Sequence, residues 1–163
     1  MRRVLFAFAS LIGMSLASGV SAGSLELTYQ AVVHLAVEHH VDVTATEKRR
    51  LGIAAFRGLA IFGSGELANY RYQGTYNFRD GSGSFRGVAV WHFDDGSQIH
   101  ATYEGEAMAS GKGITFSGSQ QVISGNGRFA GASGSGKYQG RRVDNLKDGG
   151  DTYWSGTLSL KIP

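Results

Sequence analysis

The chain of 163 residues contains no cysteine. Small exported proteins commonly staple themselves with disulfides, so here stability has to come from a packed core and the backbone ladder. A bacterial lipid anchor is excluded for the same reason, because no cysteine follows the apolar leader described below. Proline is almost as scarce: the chain has one, Pro163, at its last position. That suits uninterrupted strands, since proline cannot donate to a sheet ladder. Charge of a single sign is also lacking, with 16 Lys plus Arg against 13 Asp plus Glu. A nucleic-acid binder would show a basic stripe. The compact basic runs, Lys48-Arg49-Arg50 and Arg141-Arg142, read as solvated turns, and no nucleic-acid partner is expected.

Residues 1–22 are of a different character. Met1-Arg2-Arg3 is followed by the apolar run VLFAFASLIGMSLASGV and a small-residue exit, Val20-Ser21-Ala22. This is the pattern of a secretory signal peptide cleaved after Ala22. The apolar stretch is broken by small and hydroxyl residues and falls short of the ~20 residues that span a bilayer. The expectation is therefore a periplasmic or secreted protein, free of the membrane once the leader is removed, with residues 23–163 forming a single domain.

What the chain has in quantity is glycine, 25 residues of it, placed with a pattern. GSGSFRG at 81–87, GNGRFAG at 125–131 and GSGKYQG at 134–140 share one spacing. It is not a nucleotide fingerprint, which needs its third glycine three positions after the second at a helix start. No Lys-Ser or Lys-Thr pair follows to make a phosphate loop. The informative unit is smaller. Eight of the sixteen aromatics after residue 22 have a glycine two residues on: Phe56, Tyr72, Phe85, Tyr103, Phe116, Phe129, Tyr138 and Trp154. A separation of two puts both residues on one face of a strand, whereas on a helix they diverge.

Alternation supports strands directly. ELANYRYQGTYNF sets Tyr70, Tyr72, Gly74, Tyr76 and Phe78 on one face, with Arg71, Gln73 and Asn77 on the other. SFRGVAVWHF and SQIHATYEGEAM meet at Asp94-Asp95-Gly96-Ser97, a hairpin turn. Glycine-rich breaks divide the remainder, giving eight strands near 25–40, 51–62, 66–78, 84–94, 97–108, 113–123, 134–142 and 152–162. Phe129-Ala130-Gly131 is left as a tight loop or single helical turn. The first segment, with AVVHLAVEHH, would also satisfy a short helix but reads better as a strand. Eight consecutive strands without a crossover helix predict an all-β fold, an eight-stranded antiparallel up-and-down (calycin-like) β-barrel that leaves no open edge. In so narrow a barrel, glycine beside an inward aromatic makes room for it, and the ring covers the bare backbone of a neighbour.

GNGRFAGASGSGKYQGRR, VWHFDDGSQIHATYEGEA and GGDTYWSGTLSL together resemble the bacterial proteins with an allene oxide cyclase barrel-like domain, relatives of plant allene oxide cyclases and dirigent proteins. The resemblance covers most of residues 60–162. It implies an eight-stranded barrel, often a homo-oligomer, with an apolar cavity. In the plant members that cavity takes a reactive oxidised fatty acid or a phenolic radical and steers ring closure or coupling. The implied activity is that of an isomerase or cyclase, but the plant cyclases' cavity carboxylate has no local motif here to carry it over.

The residues themselves favour a lining over a catalytic motif. Tyr70, Tyr72, Trp91, Tyr103, Phe116, Tyr138 and Trp154 share the aromatic face and are the expected ligand contacts, apolar in body with hydroxyl tips. Catalytic residues are not identifiable. Glu26, Glu38, Glu104 and Glu106 lie on strands, the last two opposite the aromatic face. His34, His39 and His40 do not make a metal site, because adjacent histidines point to opposite faces. His92 and His100 share the outer face near Asp94 as a surface polar pair. No metal or cofactor is expected. The reading is a barrel that binds a small hydrophobic molecule; an isomerase acting on that molecule, or a barrel filled by its own side chains, are the alternatives.

Overall fold

The computed structural model describes residues 23–44, 46–111, 113–144 and 146–163. The expected signal peptide, residues 1–22, lies outside the described residues. Eight strands follow in chain order: β1 (Gly23–Thr44), β2 (Arg49–Phe62), β3 (Leu67–Arg79), β4 (Ser82–Phe93), β5 (Gln98–Ser110), β6 (Gly113–Asn126), β7 (Ser133–Arg142) and β8 (Thr152–Ile162). Each pairs antiparallel with its sequence neighbour, and β8 pairs with β1 to close the barrel. The first segment is a strand throughout, longer at both ends than its alternation indicates. Phe129 ends a single 3-10 turn, Gly127–Phe129. At the β4–β5 hairpin, Gly96 takes φ +83°, the conformation its position requires.

The inward face is the aromatic one. Tyr29, Phe56, Tyr70, Tyr76, Trp91, Phe93, Tyr103, Tyr138 and Trp154 are buried, while Arg71, Arg86, Glu104 and Glu106 are exposed. The glycines in that face are there because rings lie across them. A Cβ on Gly74 would stand 2.5 Å from the Tyr103 hydroxyl, and one on Gly87 2.7 Å from the same oxygen. Tyr103, from β5, thus crosses β4 and reaches over β3.

The two ends of the barrel differ. At the end carrying the β2–β3, β4–β5 and β6–β7 connections, Phe62, Phe93, Ile99, Phe129, Leu158 and Leu160 fill the interior. The Phe93 and Phe129 rings are 5.0 Å apart, and the Arg128 guanidinium lies 4.7 Å above Phe93, capping the plug. At the opposite end the interior is not filled.

One irregularity bears on the site. Between Leu35 and Val37 the β1–β2 register shifts by one residue, so Ala36 is extra. The Leu35 N–H donates instead to the Gly149 carbonyl at 2.9 Å, in the β7–β8 connection. A one-residue bulge exchanges the two faces of everything beyond it. Tyr29, Ala31, Val33 and Leu35 face inward before the bulge; after it the inward positions are Glu38 and His40 rather than Val37 and His39.

Candidate functional site

The unfilled half of the barrel holds a cavity of about 90 Å³. Its floor is Tyr70, Gln120 and Trp154, and its walls include Phe56, Tyr72, Phe85, Tyr103, Phe116 and Tyr138. The mouth lies among Phe78, Ile114, Arg142, Leu146 and Thr152, at the end formed by the β3–β4 and β5–β6 hairpins and the β7–β8 connection. Each wall residue comes from a strand in which aromatic and glycine alternate at period two, so the strands supply both the rings and the space between them.

The rings hold one another by edge and face. Phe56 and Tyr72 stack at 4.7 Å, Tyr72 meets Tyr103 edge-on at 5.6 Å, and Trp154 meets Tyr72 edge-on at 5.5 Å. The Tyr29 hydroxyl donates to Gln120 Oε1 at 2.9 Å, which fixes the floor from below. The Tyr138 hydroxyl donates to the Glu104 carbonyl at 2.9 Å. Tyr72 and Tyr103 have no hydrogen-bond partner among the described residues, leaving their hydroxyls for a guest. Burial pushes the phenols of Tyr70, Tyr72, Tyr103 and Tyr138 up, so these groups stay protonated and are available as donors.

At the mouth stands a polar group. The Tyr76 hydroxyl donates to Glu38, and His40 Nδ1 lies 2.7 Å from Glu38 Oε1. Burial, and then this hydrogen bond to the Glu38 carboxylate, push the Tyr76 phenol up. Arg142 completes the mouth. Its Nε is sealed from water without a hydrogen-bond partner, and burial lowers the pKa of the guanidinium.

Of the seven aromatics expected as lining, Tyr70, Tyr72, Tyr103, Phe116, Tyr138 and Trp154 surround the cavity. Trp91 does not: it is fully buried in the filled half, its ring 4.8 Å from Tyr70, on the far side of the floor. The reading of Arg141-Arg142 as a solvated turn is corrected for Arg142, which is half-buried at the inward end of β7. Strand parity carries that information, since Tyr138, Gly140 and Arg142 alternate along one face. Gln120 was missed although it shares the parity of Phe116 and Gly118. Glu38 could not be placed by alternation, because the bulge at Ala36 reverses it. Glu104 and Glu106 are exposed, and Glu26 accepts from the Ser159 hydroxyl on the outside at 2.7 Å.

His34 pairs with Asp151 at 2.7 Å, away from His40. Across the β4–β5 hairpin His92 lies opposite Gln98, not His100, and His100 Nε2 stands 2.9 Å from Gln98 Oε1. Among the described residues no group of three or more potential metal ligands converges.

The sequence matches no known family model, and no curated protein matches it. Among solved structures the barrel is similar to that of the pterocarpan synthase dirigent protein GePTS1, with a TM-score of 0.50 at 13% sequence identity, over 95% of this chain and 98% of that one. At that identity the likeness speaks for the fold. The chain is a closed, antiparallel eight-stranded barrel, similar in fold to that protein.

Proposed function

We propose that this protein binds a small, largely apolar molecule in the half-open end of its barrel. The observation that carries the reading is the asymmetry of the interior. One half is packed solid by aliphatic and phenyl groups, whereas the other keeps about 90 Å³ of space behind tyrosine hydroxyls and an arginine. Apolar walls with a few convergent polar groups are the ordinary make-up of a ligand pocket. The likeness in fold to a dirigent barrel supports the same reading. The cavity is smaller than the roughly 150 Å³ that accommodates a benzene ring, so the guest enters in part, or the mouth residues Phe78, Ile114 and Leu146 give way.

A second reading, that of an isomerase or cyclase, draws on Glu38. The bulge turns this carboxylate inward and Tyr76 holds it, which supplies a proton-transfer pair beside a water-poor cavity. Export remains part of the proposal, on the strength of residues 1–22. The charged outer positions Arg86, Glu104, Glu106, Lys137 and Arg141 support a barrel wall that faces water.

Extraction of the protein purified from its native source, followed by mass spectrometry, tests the binding reading. A small organic molecule at near-stoichiometric yield from wild type, and lost on replacing Tyr103 by Trp, is the expected result. Protein that carries no such molecule and takes up none of a panel of one-ring and short-chain compounds would leave the filled-barrel alternative.

A further inference from the structure

At the mouth of the cavity stands a charge, Arg142, that has no partner among the described residues. Arg142 is the last residue of β7 and its side chain enters the cavity wall between Phe78, Ile114 and Leu146. Its Nε is sealed from water and unpartnered, and among the described residues no carboxylate or carbonyl forms a hydrogen bond or ion pair with the guanidinium. Arginine stays protonated in proteins, so a positive charge is held at the half-buried mouth of the cavity with its Nε shut off from water. Buried charges in native proteins are paired. An unpaired one in a cavity lining is a group whose partner arrives from outside.

The obvious internal partner is already engaged. Glu38 Oε1 accepts the Tyr76 hydroxyl and stands 2.7 Å from His40 Nδ1, which holds the carboxylate on the β1 side of the mouth, and among the described residues it forms no hydrogen bond or ion pair with Arg142. Among the described residues near the opening, Arg50 is itself paired with Asp42 at 2.8 Å. Arg142, by contrast, has no such partner among the described residues and is a cation open to a guest. A guanidinium offers parallel N–H donors that match the two oxygens of a carboxylate. Behind it lies a short apolar space, walled by Tyr72, Tyr103, Phe116, Tyr138 and Trp154.

We propose that Arg142 is the receptor for an anionic headgroup and that the guest is a small organic acid, its carboxylate on the Arg142 fork and its short aryl or alkyl tail among the tyrosines. This rests on the ligand-binding reading of the cavity and narrows it. An alcohol of the same shape would fill the same space but leave the guanidinium unpaired, and the site discriminates between the two on that ground.

The test is calorimetric titration of the mature protein at pH 7 with matched pairs, phenylacetate against 2-phenylethanol and hexanoate against 1-hexanol. Each acid should bind wild type at least tenfold more tightly than its alcohol. Arg142→Met should lose that preference and still take the alcohols, while Arg142→Lys keeps a part of it. Without any guest, Arg142→Met should melt no lower than wild type, because a half-buried cation without a partner among the described residues has been removed. Phenylacetate should raise the melting temperature of wild type and not of that variant. Equal binding of acid and alcohol by wild type, or an acid preference that survives in Arg142→Met, would overturn the anion receptor and leave the cavity as a site for neutral guests. Failure of all four compounds to bind wild type would remove the ligand-binding reading and this inference together. Should Arg142→Met not fold, the acid-to-alcohol ratio in wild type and in Arg142→Lys decides the matter.

Discussion

The Tyr76 hydroxyl, on β3, donates to the Glu38 carboxylate, on β1, across the intervening strand β2. It can do so because the residue beneath it is Gly52, paired with Tyr76 on one side and His40 on the other. A Cβ at that position would stand 2.5 Å from the Tyr76 hydroxyl oxygen and 2.7 Å from a ring carbon. Gly52→Val should therefore displace the ring and break the contact. The expected loss is about 1–3 kcal/mol from overpacking, with Tyr76→Phe losing about 1–2 kcal/mol through the missing hydrogen bond to a charged group. In the double variant the two losses should not add, since one contact is removed twice. Denaturant melts of the three proteins would show it.

Alkaline stability follows from the buried phenols. The Tyr29 phenol is pushed up to about 12 by burial, and those of Tyr70, Tyr72, Tyr103 and Tyr138 are raised for the same leading reason. Raised folded-state values mean that this contribution to stability is complete below the unfolded tyrosine value, roughly 10. As pH rises past it the unfolded chain loses protons that the native chain keeps, so stability falls. Each such phenol removes up to about 1.4 kcal/mol per pH unit, and three suffice to take away roughly 4. Unfolding between about pH 10 and 12 is expected on these grounds, with phenolate absorbance rising together with loss of the sheet signal. Gradual phenolate formation in a chain that stays folded would contradict the burial of these rings.

Gly105 and Gly140 should tolerate no side chain. At Gly105 a Cβ would lie 2.5 Å from the Ser117 carbonyl, 2.7 Å from the Phe85 ring and 2.8 Å from the Tyr138 hydroxyl. At Gly140 it would meet the Tyr153 carbonyl and the backbone of Trp154. Because backbone is among the obstacles in both places, Gly105→Val and Gly140→Val should each cost about 1–3 kcal/mol or more. Melting temperatures equal to wild type would show that the glycines are not spacers.

The cavity can be probed with xenon, which enters dry apolar spaces. Tyr103 borders it between Ala101 and Gly105, two small inward neighbours on β5. Tyr103→Trp should occupy the space and abolish the xenon shift in NMR. Glu104→Gln, one residue away on the exposed face, should leave it unchanged. Comparable loss in both variants would mean that the cavity does not lie where the rings place it.

The sequence by itself determined the period of the strands and the pairing of aromatic with glycine, because each is a consequence of alternation along one strand, and it pointed to closure through eight consecutive strands with no crossover helix. It also determined that Glu104 and Glu106 face outward, as the hairpin through Asp94–Ser97 carries no irregularity that reaches them. Alternation contained the inward position of Arg142 as well, in register with Tyr138 and Gly140, although a run of two arginines at a strand end reads more readily as a turn. Only the tertiary structure decided the rest. Glu38 faces the mouth because the Leu35 N–H leaves the β2 ladder for the carbonyl of Gly149, a residue on the far side of the sequence, and the displaced Ala36 reverses the faces of the residues that follow, Glu38 and His40 among them. Trp91 falls outside the cavity because the 3-10 turn at Gly127–Phe129 plugs its end of the barrel. Parity is a local property and survives only as far as the ladder is regular; where a distant segment competes for a backbone hydrogen bond, the position of a side chain belongs to the whole fold.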